Sequence, residues 1–457
     1  MRLQLPPSIL PGNEFCMTVS HSSFAERRRL LMDRIGPTSA ALLLAAPERV
    51  RSNDVEYVYH PDNDLLYLTG FSEPGAACLL LPGHPEEEFI LFVRPRDAER
   101  ETWTGRRQGI EGAIASFGAA SAYPIDQLDE KVAELVAERD QLYCALGTSD
   151  PELNEKILRW MNRWSQQRPR SGKGPVGLSD IGALVHEMRL RKSTPEIALM
   201  RRASEIGAEA HLAAMQSARP DMFEYEIEAL VDYTFRRRGA AGPAYPSIVA
   251  GGANATILHY IANDQPLRDG DLLLIDAGAE LGAYCSDITR TFPVGRSFSR
   301  AQRQLYDLVL EAQQAAIASI APGVSFEQPH ERAVEILVRG LLELGILEGE
   351  SEEILEKHSY RRFYMHRTSH WLGMDVHDVG AYRDGDHSRS LETGMVLTVE
   401  PGIYIPAACN EVEACYRGIG IRIEDDVLVT SGGCEVLTAS VPKDPVELEK
   451  IRSDALC

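Results

Sequence analysis

Hydrophobic residues in the first third of the chain come in short blocks rather than long stripes. AALLLAAP (40–47), LLYLTGF (65–71), AACLLLPG (76–83) and FILFVRP (89–95) each end near Gly or Pro, as strands buried on both faces do. A helix is expected ahead of them in ERRRLLMDRI, opened by the capping-box sequence Ser23-Phe24-Ala25-Glu26. The period then lengthens: LDEKVAELVAERDQL (128–142) and PELNEKILRWMNRW (151–164) read as helices, and polar SQQRPRSGKGP (165–175) as a surface loop. Strands mixed with helices make this part an α/β domain.

The pattern changes near residue 190. Ser193-Thr194-Pro195-Glu196 opens a long helix, with Pro where a missing N–H costs nothing. A chain of 457 residues exceeds one ordinary core, so the boundary is placed there, giving domains 1–190 and 191–457. In the second, helices are expected around 223–237, from Ser299 to about Ile320, and at about 326–345. Strands are expected around 271–276, 283–292, 395–400 and 419–429. Helix pairs and hairpins without βαβ regularity indicate α+β rather than a doubly wound sheet.

Composition narrows the function classes. With 44% hydrophobic and 25% charged residues the chain reads as soluble and globular. No apolar run reaches the ~18 residues that span a bilayer, and the first twenty residues lack the continuous apolar core of a secretory signal. Met17 is an alternative start. The 68 acidic against 47 basic residues give a net charge of −21, which disfavours nucleic acid and anionic membranes as partners. The basic run Arg27-Arg28-Arg29 reads as a solvated helix face. Eight cysteines without a C-x-x-C pair read as reduced thiols of a cytoplasmic protein.

Candidate chemistry begins at MHRTSHWLGMDVHDVG (365–380), which holds His366, His370 and His377. An i, i+4 histidine pair suggests a zinc protease, but that site needs H-E-x-x-H, and Arg367, Thr368 and Ser369 lie between these two. Partners are therefore sought elsewhere. DLLLIDAGAELGAYCSDITRTFPVG (271–295) carries Asp276 and Asp287; folded as a hairpin about Leu281-Gly282, it sets them opposite each other, roughly 5 Å apart. Like charges so placed are destabilising unless a cation lies between them; a different register, with one Asp in the turn, is the alternative. Glu400 ends an apolar strand at Pro401-Gly402, where an unpaired charge is costly. In GIGIRIEDDVLV (418–429), alternation puts Ile421 and Ile423 on one face and Arg422 and Glu424 on the other; alone this could be a structural ion pair. Four carboxylates and one histidine suit two divalent ions, and an oxygen-rich set with one imidazole favours Mn²⁺, Co²⁺ or Fe²⁺.

In this order, Asp-x₁₀-Asp, HWLGMDVHD, VEPG and IRIED closely resemble the pita-bread metallopeptidases, a group that includes methionine aminopeptidase, prolidase, aminopeptidase P and creatinase. NDLLYLTGFSEPG and ETWTGRRQG are similar to the aminopeptidase P branch, and the resemblance extends from about residue 20 over nearly the whole chain. It implies a small N-terminal α/β domain, a pita-bread catalytic domain, two Mn²⁺-type ions and a homo-oligomer, dimer or tetramer. It implies Asp276, Asp287, His370, Glu400 and Glu424 as metal ligands. His259, His366 and His377 match histidines on the substrate side, Tyr404 and Arg422 match positions behind the ligands, and Asp64 and Trp103 match weaker N-terminal substrate motifs. His387 stands where an arginine is expected.

The resemblance implies release of the first residue from peptides with proline second, by attack of a hydroxide bridging two metals, with Glu400 shuttling the proton. His366 and His377 would grip substrate or stabilise the oxyanion. The Xaa-Pro bond has no N–H and a fixed ring, so a site moulded to that ring would select one isomer, trans. The rivals are a prolidase limited to Xaa-Pro dipeptides, a non-catalytic pita-bread binding protein, and metal-free creatinase-like chemistry.

Overall fold

The computed structural model describes residues 20–146 and 151–457, and the chain divides between Arg189 and Leu190 into two compact units. In the N-terminal unit, Ser39–Leu44, Ala77–Leu80 and Phe89–Val93 are the predicted apolar strands, buried almost throughout. They belong to a six-stranded sheet in the order Ser121–Pro124, Phe89–Val93, Ala77–Leu80, Ser39–Leu44, Gln141–Cys144, Gly177–Asp180. The first two pairings of Ser39–Leu44 differ in direction, antiparallel to Ala77–Leu80 and parallel to Gln141–Cys144, so the sheet is mixed.

Several local expectations change. LLYLTGF is largely helical, Asn63–Thr69, because Asp62 caps the Leu65 N–H and Gly70 closes the helix in the left-handed conformation. The first helix, His21–Ile35, is capped by Ser20 rather than Ser23. The helix expected at 128–142 stops by Glu138, and Gln141 and Leu142 enter a strand. The expected loop at 165–175 is helical as far as Ser171, extending Pro151–Ser171 through Pro169 in its last turn.

The C-terminal unit opens, as expected, on the helix Thr194–Ser217, whose capping box joins Ser193 and Glu196. Glu224–Arg237 follows, and Arg300–Ala318 packs with Gln328–Glu343. These helices cover small antiparallel sheets: Ile248–Gly251, Leu272–Asp276 and Thr289–Pro293 in one, Val396–Val399, Asp425–Thr430 and Gly433–Val436 in another. Gly402–Ile405 pairs with Ile419–Arg422. The strand expected over 419–429 is thus two, broken at Ile423 and Glu424.

The Asp276–Asp287 hairpin forms with a shifted register. Gly282 and Ala283 both have positive φ, 57° and 65°, which centres the turn one residue later than expected. Asp276 therefore faces Thr289, and Asp287 is its diagonal neighbour on the same face. The strands are tight here: a Cβ on Gly278 would lie 1.6 Å from the Ser286 carbonyl oxygen.

Candidate metal centre

The five predicted ligands converge from separate elements. Asp276 ends its strand, Asp287 precedes Thr289–Pro293, and His370 sits on the loop before Trp371. Glu400 occupies the break between Val396–Val399 and Gly402–Ile405, and Glu424 the break before Asp425–Thr430. At strand breaks, side chains escape the alternation that would bury them in apolar packing. Asp287, His370 and Glu424 offer ligand atoms that all lie within 4.8 Å of one another. His370 Nε2 is 3.4 Å from Asp287 Oδ2 and 3.5 Å from Glu400 Oε1. Asp276 joins through Tyr245, whose hydroxyl bonds Asp276 Oδ1 at 2.6 Å and also Asp287 Oδ1.

His370 Nδ1 lies 3.0 Å from the Trp371 carbonyl oxygen and donates to it, which turns Nε2 toward the carboxylates of Asp287 and Glu400. The Thr398 hydroxyl oxygen accepts from the His370 N–H at 3.1 Å. Thr289 donates its hydroxyl to Glu424 Oε2 at 2.7 Å and accepts from Arg422 Nε at 3.0 Å. Both oxygens of Asp426 accept from the Asp287 N–H, at 3.2 and 3.1 Å. The ligands are thus held by partners that fix their orientation.

The electrostatics of this cluster call for positive charge. Burial, reinforced by the neighbouring carboxylates, raises Glu400 to about 8 against the pull of His370 and Arg422. Burial and the carboxylates of Asp287, Glu400 and Asp276 push Glu424 well up, and burial also raises Asp287. Burial alone would lower His370, but Asp287 and Glu400 outweigh it and bring it to about 9. Such a set relieves its repulsion by binding protons or by holding cations. Oxygen donors with one oriented imidazole fit divalent ions of the Mn²⁺ type.

Arg422 is buried at 4% exposure, with Nη2 2.5 Å from Asp276 Oδ2 and Nη1 donating to the Tyr404 hydroxyl at 3.0 Å. Tyr404 is fully buried and in turn meets His366 Nε2 at 2.8 Å. His366 Nδ1 donates to the Arg367 carbonyl at 2.8 Å, so Nε2 accepts from Tyr404. Burial and Arg422 lower His366 to about 3, which keeps the ring neutral. The Tyr404 hydroxyl thus joins His366 to Arg422 behind the cluster.

The cluster forms the floor of a cavity of about 970 Å³, whose walls include His259, His366 and His377 together with apolar Leu258, Ile261 and Val376. The His377 ring meets that of His370 edge-on, centroids 4.4 Å apart. The next residue, Asp378, makes an ion pair of 2.9 Å with Lys192 Nζ, and both side chains are 1% exposed. Gly373 leaves room for it: a Cβ there would lie 2.1 Å from Asp378 Oδ2.

Two further expected substrate residues belong to the N-terminal unit. In the N-terminal unit, Asp64 is held by Arg189 Nη1 at 2.7 Å and His186 Nε2 at 3.0 Å, and Trp103 is 85% exposed on the helix Ala98–Thr104. His387 is exposed in a short hairpin with Arg383–Asp384, and Arg383 of the opposite strand lines the cavity. Sequence reasoning missed Tyr245, Thr289, Thr398, Lys192 and Asp378. Only Asp378, a carboxylate inside the histidine-rich stretch, carried a visible signal.

Comparison with known proteins places this geometry. Residues 198–431 match the model of metallopeptidase family M24, and residues 24–143 that of the aminopeptidase P N-terminal domain. The chain is 45% identical to the Xaa-Pro aminopeptidase of Escherichia coli over 95% of its own length and 98% of that protein's. It is 35% identical to human Xaa-Pro aminopeptidase 3 over 98% and 89% respectively. Among solved structures, the aminopeptidase PepP of Pseudomonas aeruginosa superposes with a TM-score of 0.94 at 48% identity, covering 96% of this chain and all of that one. The likeness extends to the α+β pita-bread architecture. This chain belongs to metallopeptidase family M24, in the branch that carries an aminopeptidase P N-terminal domain.

Proposed function

We infer that the protein is a metal-dependent Xaa-Pro aminopeptidase, releasing the first residue of peptides with proline in second position. The observation that carries this is the set of Asp276, Asp287, His370, Glu400 and Glu424 on the floor of one cavity, in a chain aligned almost end to end with Xaa-Pro aminopeptidases. These five side chains would hold two divalent ions, Mn²⁺ by the hardness of their donors. Bound there, the ions supply Lewis acidity, polarising the scissile carbonyl and acidifying water.

The chain's own groups do the rest. Glu400, beside the ions it would help to hold, would accept and return the proton. The acidic floor attracts the free α-amine of the substrate and so restricts cleavage to the first bond. His366 has both ring nitrogens engaged and serves as a neutral wall, while the His377 and His259 rings face the cavity to meet the substrate. Leu258, Ile261 and Val376 offer an apolar surface to the pyrrolidine ring. The His370–His377 contact keeps one donor close to the reacting carbonyl.

No helix among the described residues is long and apolar enough to cross a membrane, and the seven described cysteines are free thiols. Both support a cytoplasmic enzyme, and we propose that it works as a dimer or tetramer. The test is release of the N-terminal residue from Arg-Pro-Pro and from Gly-Pro by chelated protein, with and without Mn²⁺. Metal-dependent cleavage of the tripeptide with little on the dipeptide is expected. Cleavage of the dipeptide alone would identify a prolidase, and no cleavage of either would refute a peptidase function.

A further inference from the structure

Residues 252–265 run from a short 3₁₀ turn, Gly252–Thr256, to Gln265 and carry Leu258, His259 and Ile261 into the cavity wall. Little regular structure supports them: after Thr256 they form neither helix nor strand. Behind them stands Glu224, the first residue of the helix Glu224–Arg237, fully buried and remote from the metal ligands in sequence. Its carboxylate is surrounded by donors from this one segment and its entry strand. Oε1 accepts from the Gly251 N–H at 2.8 Å and from Asn254 Nδ2 at 2.9 Å. Oε2 accepts from the Tyr260 hydroxyl at 2.7 Å and from the Gln265 N–H at 2.9 Å. The Glu224 N–H closes the ring by donating to the Gln265 carbonyl at 3.0 Å.

A carboxylate can accept about four hydrogen bonds, and here two go to the start, one to the middle and one to the end of the loop. The positive end of its own helix favours the charge. Buried Asn263 makes a second clamp, accepting from the Val249 N–H at 3.0 Å and donating to the Ser247 carbonyl at 2.8 Å. Tyr260 packs into a small apolar cluster with Ile248, Ala250, Ala255 and Leu274. His259 and Ile261 flank Tyr260, so the hydroxyl bond to Glu224 fixes the residue between two cavity-lining side chains.

The geometry points to Glu224 as a positioning residue for the substrate wall, holding His259 and its apolar neighbours in place without touching substrate or metal. This rests on the function inferred above. An isosteric glutamine cannot replace the carboxylate, because its NH₂ group would face two of the four donors whichever way it turned. Its effect is expected on substrate handling and not on the metal centre, whose ligands hang from other strands.

The test compares the wild-type full chain, loaded with Mn²⁺, with E224Q and Y260F. E224Q is expected to lower kcat/KM for Arg-Pro-Pro about 10- to 100-fold, the cost of losing one or two buried hydrogen bonds to a charged group. Y260F, which deletes one donor and keeps the ring, is expected to lower it several-fold. Metal content and metal Kd should stay at wild-type values in both, and amide hydrogen exchange should speed up within 252–265 specifically. Activity within twofold of wild type and unchanged exchange in both variants would overturn the inference. So would loss of metal together with activity, which would mark Glu224 as a general structural residue. Should E224Q fail to fold, Y260F alone decides. If the wild type cleaves neither peptide, the functional reading fails, while loop exchange in the two variants still reports on Glu224.

Discussion

Replacing Lys192 by Met keeps most of the side chain's length and removes its charge, which leaves Asp378 buried opposite a methyl group. Both partners are 1% exposed and 2.9 Å apart, so neither can turn to water. Breaking one side of such a pair costs about 3–5 kcal/mol, most of it the price of an uncompensated buried charge. The catalytic unit, Leu190–Cys457, spans roughly 270 residues, and an unfolding entropy of about 2.1 cal/mol/K per residue converts that loss to a fall of about 5–9 °C in melting temperature. The deficit has a sign in pH. A carboxyl buried at 1% exposure that loses its cation favours its neutral form, so the folded variant holds that proton to higher pH than the wild type does. The deficit therefore shrinks as pH falls from 7.5 toward 5. Adding D378N to K192M should recover part of the loss at pH 7.5 by removing the buried negative charge. Calorimetry of the wild type and both variants at pH 5 and 7.5 measures all of this. A K192M protein within 1 kcal/mol of wild type at pH 7.5, or one whose deficit grows on acidification, would refute the reasoning.

E400A is expected to keep its circular dichroism spectrum and lose turnover by about 10²–10⁴-fold, the range of a proton-transfer group, and near-normal turnover with added Mn²⁺ would contradict the role given to Glu400. Chelation should abolish peptide cleavage and change the pH response of stability. In the metal-free protein Glu400 at about 8 and His370 at about 9 lie above their unfolded values, so stability is present at pH 6 and lost as pH rises toward 9. Each group that remains protonated only in the folded chain contributes about 1.4 kcal/mol per pH unit, visible in urea titrations at pH 6 and 9. Y245F removes the hydroxyl shared by Asp276 and Asp287 and should weaken metal binding about 10- to 100-fold, measured with a competing chelator.

The residues that bear charge into apolar surroundings were the legible part of this protein. Asp276, Asp287, Glu400 and Glu424 stand at the ends of strand-like runs where an unpaired carboxylate is costly, and that anomaly is written in the sequence. Their mutual register was not: two positive-φ residues at Gly282-Ala283 moved the hairpin by one position, and an alanine in that conformation gives no sequence warning. LLYLTGF misled because apolar content cannot separate a buried strand from a buried helix, and the deciding Asp62 cap lies outside the apolar block. The groups that orient the ligands were invisible for another reason. Tyr245, Thr289 and Thr398 are ordinary residues whose hydroxyls matter only once distant segments meet. The 45% identity to an Xaa-Pro aminopeptidase accounts for why the fold and the activity could nevertheless be inferred from motifs.

Arg422 and Asp276, joined at the floor of the cavity, are 146 residues apart along the chain. At about 5–20 residues per second, a ribosome delivers one roughly 7–30 seconds after the other. Throughout that interval the nascent chain carries the aspartate hairpin without the strand that neutralises it, and without Glu400 for at least part of the time. A product of interrupted translation that ends before Glu424 lacks one of the five proposed ligands and is expected to show no peptidase activity.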